Sequence, residues 1–278
     1  MTSTQVGSSG VRLQLSERGP ADAPTVVLVH GYPDTLQLWD DVVAVLADEL
    51  RVVVYDVRGA GRSTAPADRS GYAMSHLLDD LRAVLDAVAP TRRVHLVGHD
   101  WGAIQGFAAA SDESLSPRLA SFTAIAAPGL GTARAWVARR LAEPSPRHLV
   151  ELAGQLGRSW YLAAFQVPVL PELALRTMGD LPIGTGGVED AVRGLGLYRA
   201  NRSGEATRAP VPTGLPVRII AGRRDPFVSP RVFDDLASLP HVTVTEVDGG
   251  HWLPRTHPER VARHVRDLVT EVEAGADG

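Results

Sequence analysis

An aspartate with a glycine two residues away on either side, in Gly98-His99-Asp100-Trp101-Gly102, is the feature of this sequence best suited to covalent chemistry. A Gly-x-nucleophile-x-Gly run between a strand and a helix makes a turn so tight that its middle residue is strained and its neighbours must lack side chains. One functional group is thereby lifted above the sheet edge. A serine there would have to lose a proton as it attacks, whereas a carboxylate is already ionised near neutral pH and needs a base only afterwards. The plainer explanation is a carboxylate capping the following helix, where the dipole favours negative charge. Position decides between the two. Asp225, in Gly222-Arg223-Arg224-Asp225-Pro226, and His251, in Gly249-Gly250-His251-Trp252, each follow a segment that reads as a strand. The order nucleophile, acid, histidine is that of a hydrolytic triad mounted on an α/β sheet. In that reading His251 is general base for a water, and Asp225 fixes its tautomer and stabilises the imidazolium. Without His251 downstream, Asp225 would read as a turn aspartate.

His30-Gly31-Tyr32-Pro33 follows another apolar run, and such a loop can turn the Tyr32 backbone N–H towards Asp100, with the Trp101 N–H as its partner. Two such donors would polarise the carbonyl of an ester on Asp100 and hold the oxyanion when water attacks, at roughly a few kcal/mol per donor. A plain turn is the alternative. Asp56, Arg58, Gly59, Gly61 and Ser63 read as a loop brace at the same rim. His30 and His99 flank the site and read first as packing and hydrogen-bonding residues. No two of the nine histidines stand at metal-ligand spacing beside carboxylates, so no metal and no cofactor are expected.

These groups need a rigid frame, and the rhythm of the sequence supplies one. Apolar runs at Thr25–Val29, Arg51–Tyr55, Val94–Val97 and Phe122–Ala126 alternate with helical stripes such as Leu36, Trp39, Val43, Leu46, Leu50 and Met74, Leu77, Leu81, Val84, Leu85, Val88. This is the pattern of β-α-β units around a parallel sheet. Small residues from Gly102 to Ala110 predict a helix lying close to that sheet. From Gly129 to Gly214 the rhythm stops in a helical or irregular, proline-containing stretch. It resumes with strands Val217–Ala221 and Val242–Val247, a helix near Val232–Leu239, and a last helix opened by a Thr256-to-Glu259 capping box. The tail, Ala274 to Gly278, is expected to fray. The predicted class is therefore α/β: a mostly parallel central sheet flanked by helices, with a core over 1–128 and 215–278 and an inserted, mainly helical cap over 129–214.

The bulk composition narrows the partners. With 278 residues, 44% hydrophobic, 22% charged and a net charge of -4, the chain reads as an ordinary globular protein. Mixed charges without a basic run do not point to nucleic acid. There are no cysteines, hence no thiolate nucleophile. The polar start from Met1 to Gly10 lacks a signal-peptide apolar region, and no stretch approaches the roughly 18 apolar residues of a membrane span, so the expected location is the cytoplasm. A homodimer is left open.

Taken together, the residues resemble the α/β-hydrolase superfamily over essentially the whole chain, and within it the epoxide hydrolases. Their His-Gly-x-Pro and Gly-x-Asp-x-Gly motifs stand at His30–Pro33 and Gly98–Gly102. Haloalkane dehalogenases share both motifs to a degree, but often carry an asparagine where Tyr32 stands. Trp160-Tyr161-Leu162-Ala163-Ala164-Phe165-Gln166-Val167-Pro168 resembles the first cap tyrosine of the epoxide hydrolases with its Phe-Gln-x-Pro run, and Leu197-Tyr198-Arg199-Ala200-Asn201 resembles the second. The resemblance implies an epoxide and water as reactants, with Tyr161 and Tyr198 donating to the oxygen as the ring opens. It also implies a pocket lined by His30, Pro33, Trp160, Phe165 and Trp252. Two cap aromatics packed on each other are the bland alternative for the tyrosines. A dehalogenase, an ester hydrolase and a ligand-binding homologue without turnover are the rival functions.

Overall fold

The computed structural model describes residues 2–178, 184–202 and 214–276. The elements run in chain order as β1 (Thr2–Ser8), β2 (Val11–Arg18), β3 (Thr25–Val29), α1 (Asp40–Leu46), β4 (Arg51–Tyr55), α2 (Met74–Val88), β5 (Val94–His99), α3 (Trp101–Ala110) and β6 (Leu119–Ile125). Five helices intervene before the sheet resumes: α4 (Leu130–Ala142), α5 (Pro146–Arg158), α6 (Trp160–Ala164), α7 (Leu170–Met178) and α8 (Val188–Ala200). Then come β7 (Val217–Gly222), β8 (Val242–Val247), α9 (Leu253–Thr256) and α10 (Pro258–Ala276). Positions 179–183 and 203–213 of the expected cap lie outside the described residues.

The eight strands form one sheet in the order β1-β2-β4-β3-β5-β6-β7-β8. β1 and β2 pair antiparallel, as do β2 and β4, and every later pair is parallel. Central strands are buried on both faces, and their period-2 alternation splits the core in two. Val27, Val29, Val53 and Leu96 face Leu81, Leu85 and Phe107 of α2 and α3. Val26, Leu28, Val52 and Val97 face Val42, Leu46, Val261 and Val265 of α1 and α10. The strand order reverses between β3 and β5, and the crevice at the carboxyl ends of strands flanking such a reversal is where open α/β sheets place their sites.

Several expectations change. The amino-terminal hairpin was not anticipated: β1 is polar and mostly exposed and shows no apolar alternation, although β2 alternates the buried Val11, Leu13 and Leu15. Ser9 and Gly10, both at positive φ (38° and 81°), close it as a two-residue turn. The stripe from Leu36 to Leu50 is broken into a 3₁₀ turn at Leu36–Trp39 and the short α1. The helix expected near Val232–Leu239 is a 3₁₀ turn at Pro230–Phe233 followed by turns. Leu236 and Leu239 there donate to carbonyls three residues back, at 3.0 Å each. Thr256 does not cap the last helix: its hydroxyl donates to the Trp252 carbonyl at 3.0 Å within α9, and Pro258 opens α10. That helix continues to Ala276 instead of fraying from Ala274.

Candidate active site

Asp100 sits between β5 and α3 with φ +50° and ψ −118°, a conformation that costs a non-glycine residue of order 1–3 kcal/mol and persists because the surroundings impose it. The surroundings here are glycines. A Cβ on Gly102 would lie 2.1 Å from the Val29 carbonyl oxygen, one on Gly98 would lie 2.3 Å from the Gly102 oxygen, and one on Gly31 would lie 2.5 Å from Asp100 Cβ. The two carboxylate oxygens have different company. Oδ2 accepts the Tyr32 backbone N–H at 2.9 Å, while Oδ1 faces His251 Nε2 at 3.8 Å, beyond hydrogen-bond reach. Burial raises the Asp100 pKa and the Asp34 charge adds to this. The His251 charge and hydrogen bonds from the Tyr32 and Trp101 backbone amides oppose the rise.

His251 Nδ1 lies 2.8 Å from Asp225 Oδ2, and both side chains are buried. The other Asp225 oxygen accepts backbone N–H groups of Phe227 and Val228 at 2.7 and 3.0 Å, so the carboxylate cannot swing away from the ring. Burial alone would lower the His251 pKa, but the Asp225 hydrogen bond and charge, with Asp100 and Asp34 behind them, raise it. Nε2 is thus turned towards Asp100 while Nδ1 is held by Asp225.

Aromatic rings cluster over this floor. Tyr198 packs edge-to-face on Trp101, Tyr32 and Phe165 at centroid distances of 5.1, 5.2 and 5.0 Å, and Tyr161 packs on Tyr198 and Phe227 at 6.0 and 5.3 Å. Burial, then the Asp100 charge, pushes both the Tyr161 and the Tyr198 hydroxyl above the usual phenol range, so each remains a proton donor. Two residues fix α8 for this purpose. Arg199 pairs with Glu172 and donates to the Phe165 and Val167 carbonyls at 2.7 and 2.8 Å, and Asn201 accepts the Met74 N–H at 2.8 Å while donating to the Tyr72 carbonyl at 2.9 Å.

The expected pocket residues divide. Phe165 joins the aromatic cluster, and Trp252 packs on His251 at 5.0 Å. Pro33 is buried beside Asp100's loop, its carbonyl accepting the Gly186 N–H at 3.0 Å, and the Tyr32-Pro33 peptide is cis. His30 corrects the expectation: it is fully buried, Nε2 accepts the Val57 N–H at 3.0 Å and Nδ1 donates to the Gly31 carbonyl at 2.9 Å, so the ring braces the loop and presents no atom to a substrate. Trp160 corrects it too, since it is 69% exposed and turned away from the cluster while its neighbour Tyr161 turns in. The rim brace is real: Asp56 accepts the Leu36 and Arg62 N–H groups at 2.8 and 2.9 Å, and Arg58 forms a buried pair with Asp80 at 2.6 Å.

Sequence reasoning passed over Asp34, Phe227 and the ring of Tyr32. Asp34 is buried, accepts the Trp252 indole N–H at 3.1 Å and the Thr185 N–H at 2.8 Å, and lies 3.9 Å from a His99 Nδ1 that has no hydrogen-bond partner among the described residues. Its place directly after Pro33 was the available signal. Tyr32 supplies a buried hydroxyl without a partner in the described structure, beside Phe165 at 5.7 Å. An open cleft of about 540 Å³ lined by Gln14, Thr35, Asp56, Arg62 and Asp190 contains none of the residues of the Asp100 cluster.

A family model described as the alpha/beta hydrolase fold matches residues 24–258. Among curated proteins, a "Probable oxidoreductase EphD" of Mycobacterium tuberculosis is 35% identical over 94% of this chain and 48% of its own length. "Epoxide hydrolase A" of the same organism is 30% identical over 82% of this chain and 68% of its own length. The chain thus spans about half the length of the first of these relatives. Among solved structures, one titled as novel epoxide hydrolases from metagenomes of hot environments superposes with a TM-score of 0.76 at 22% identity, covering 96% of this chain and 98% of that one. A laboratory-evolved potato epoxide hydrolase superposes with a TM-score of 0.74 at 21% identity, covering 97% and 99%. The chain therefore belongs to the α/β-hydrolase fold family, where its relatives include epoxide hydrolases.

Proposed function

We propose that this protein is an epoxide hydrolase that works through an ester on Asp100. The observation that carries the reading is the unequal treatment of the Asp100 oxygens: Oδ2 is held by a backbone donor while Oδ1 is left facing the imidazole beyond hydrogen-bond reach. Oδ1 attacks the less hindered epoxide carbon. The C–O bond breaks, and the departing oxygen takes a proton from the Tyr161 and Tyr198 pair as its charge develops. The product is a glycol monoester whose carbonyl oxygen is the atom already held beside the Tyr32 and Trp101 N–H groups. His251 Nε2 then takes a proton from water, whose oxygen attacks the ester carbonyl. Both backbone donors stabilise the tetrahedral oxyanion; on collapse the expelled glycol oxygen takes the proton from the His251 imidazolium and leaves as a vicinal diol, and the carboxyl formed on Asp100 loses its proton to restore the phenol that gave one at ring opening, which regenerates the carboxylate. We further propose that 129–214 acts as a cap, because it brings both tyrosines over a floor made entirely by the core.

A single turnover in heavy-oxygen water tests the route. The first diol should carry unlabelled oxygen from Asp100, and a label in that first product would sink the ester. His251→Gln should let the ester accumulate as a mass increase equal to the intact epoxide. Haloalkane dehalogenation is the rival by the same covalent chemistry, with Trp101 as one halide contact, and halide release without diol formation would favour it. Unchanged ligand after prolonged incubation would instead favour a binding protein.

A further inference from the structure

The helices α4 and α5 meet the core at the stretch that follows β7, and their contacts there divide by what they hold. Trp136 donates to the Arg231 carbonyl at 2.8 Å, Arg140 pairs with Asp235 at 3.0 Å and Arg147 with Asp234 at 3.4 Å, so all three grip the stretch beyond position 230. Gln155 reaches the near end. Its amide nitrogen donates to the Phe227 carbonyl at 2.8 Å and to Ser159 Oγ at 3.0 Å, and its amide oxygen accepts the Ser229 N–H at 2.8 Å. A carboxamide that spans a carbonyl and an N–H two residues apart does the work of a neighbouring strand, and both of its own hydrogens are used.

The backbone it grips is the turn that carries the acid. Phe227 and Val228 both donate their N–H groups to Asp225 Oδ1, at 2.7 and 3.0 Å, while Asp225 Oδ2 holds His251 Nδ1 at 2.8 Å. The peptide joining Phe227 to Val228 is therefore held at both ends, its N–H by Asp225 and its carbonyl by Gln155. Rotating that peptide breaks both bonds. The Phe227 ring carries the constraint further, packing edge-on against His251 at 5.0 Å and Tyr161 at 5.3 Å. Gln155 also stands at the joint with α6, where its backbone carbonyl accepts the Ser159 N–H at 3.0 Å, two residues before Tyr161. We propose that Gln155 is a positioning residue that couples the seating of α5 and α6 on the core to the orientation of the Asp225–His251 pair. It touches no reacting atom, and its effect on proton removal from water rests on the hydrolase reading above. Without the amide the Phe227–Val228 peptide is free to turn, Asp225 loses its fixed orientation, and the imidazole loses the largest of the influences that raise its pKa. The other charged or titratable groups facing that ring, Asp100, Asp34 and His99, stay where they are.

Gln155→Met keeps the length of the side chain and removes its polar atoms. In single turnovers it should slow ester breakdown about tenfold and move the acid limb of that step to lower pH, with ester formation slowed less. Gln155→Asn, whose amide stops one methylene short of the turn, should do the same. NMR titration of the His251 ring in the resting protein, assigned by comparison with His251→Gln, should show the downward shift with no substrate present. Arg140→Gln is the control for docking alone: it should lower Tm and leave the His251 titration at its original pH. If both Gln155 variants lower Tm but leave the titration and the acid limb in place, Gln155 is a docking contact and the proposal is overturned. An equal shift from Arg140→Gln overturns it as well. A titration that shifts in a protein that makes no diol upholds the coupling and sinks the hydrolase reading instead.

Discussion

At the scale of the residue, division of labour within one carboxylate explains the arrangement around Asp100. The oxygen beside the Tyr32 N–H is the one that would become the ester carbonyl, so the donors that hold the resting group are the donors the tetrahedral state would use. Tyr161→Phe and Tyr198→Phe should each slow ester formation by about 100-fold, as removing a positioned proton donor does, while leaving ester breakdown nearly unchanged. Rapid-quench measurement of the two steps separates them, and an equal loss in both would move the phenols out of the ring-opening step. Asp34 gives a pH test. Its charge raises the pKa of His251, and His251 must be neutral to take a proton from water, so the rate of ester breakdown falls as the solution is acidified through that pKa. Asp34→Asn removes one contribution to the rise, and the acid limb should move to lower pH. A stationary limb in the single-turnover pH profile would show that Asp34 does not act on the imidazole.

At the scale of the element, the demands on local geometry explain what the sequence displayed and what it concealed. The elbow was legible because its glycines are required by contact: the 2.1 Å approach at Gly102 leaves no alternative residue. Asp225 was legible because it follows the largely apolar run of β7, and His251 because it follows the alternating valines of β8. Asn201 was visible as a letter, but its work was not. Its amide oxygen receives the first N–H of α2, a helix with no capping side chain of its own, from a residue 127 positions away. Asn201→Ala should cost about 1 kcal/mol in urea unfolding, the usual value for a lost helix cap. It should also slow ester formation more than ester breakdown, because Tyr198 stands on the end of the helix that it pins. His30 misled for a related reason: a histidine beside a glycine turn looks available until the Val57 N–H is found on its far nitrogen. On α5, Leu149 and Leu156 are exposed while Glu151 and Gln155 bond inward to Arg140 and the Phe227 carbonyl, which shows the limit of periodicity: it reveals that a helix has an apolar face but not which way that face turns.

At the scale of the whole molecule, the parallel core was readable from alternating strand and helix patterns, whereas the β1–β2 hairpin was not read: β2 buries the alternating Val11, Leu13 and Leu15 in the core, but its partner β1 is polar and mostly exposed, so the pair does not stand out as two apolar runs. Function also opposes stability across the molecule. Burial raises the Asp100 pKa, so its folded state binds protons more readily than the unfolded chain, and stability is lost as pH rises through the folded pKa. At neutral pH the ionised group is a standing cost, and Asp100→Asn should raise Tm while abolishing turnover; a lowered Tm in calorimetry would show that the charge stabilises its surroundings. One feature of the sheet bears on synthesis. β6 pairs with β7, and Phe122 finds its register opposite Val217 only after about ninety intervening residues have been made. At about 5–20 residues per second, the open edge of β6 waits roughly 5–20 seconds on the ribosome for its neighbour. During that interval a strand whose seven residues are all buried in the folded protein offers an unpaired edge to any other extended chain, so nascent fragments released before β7 emerges should be the species that chaperones capture.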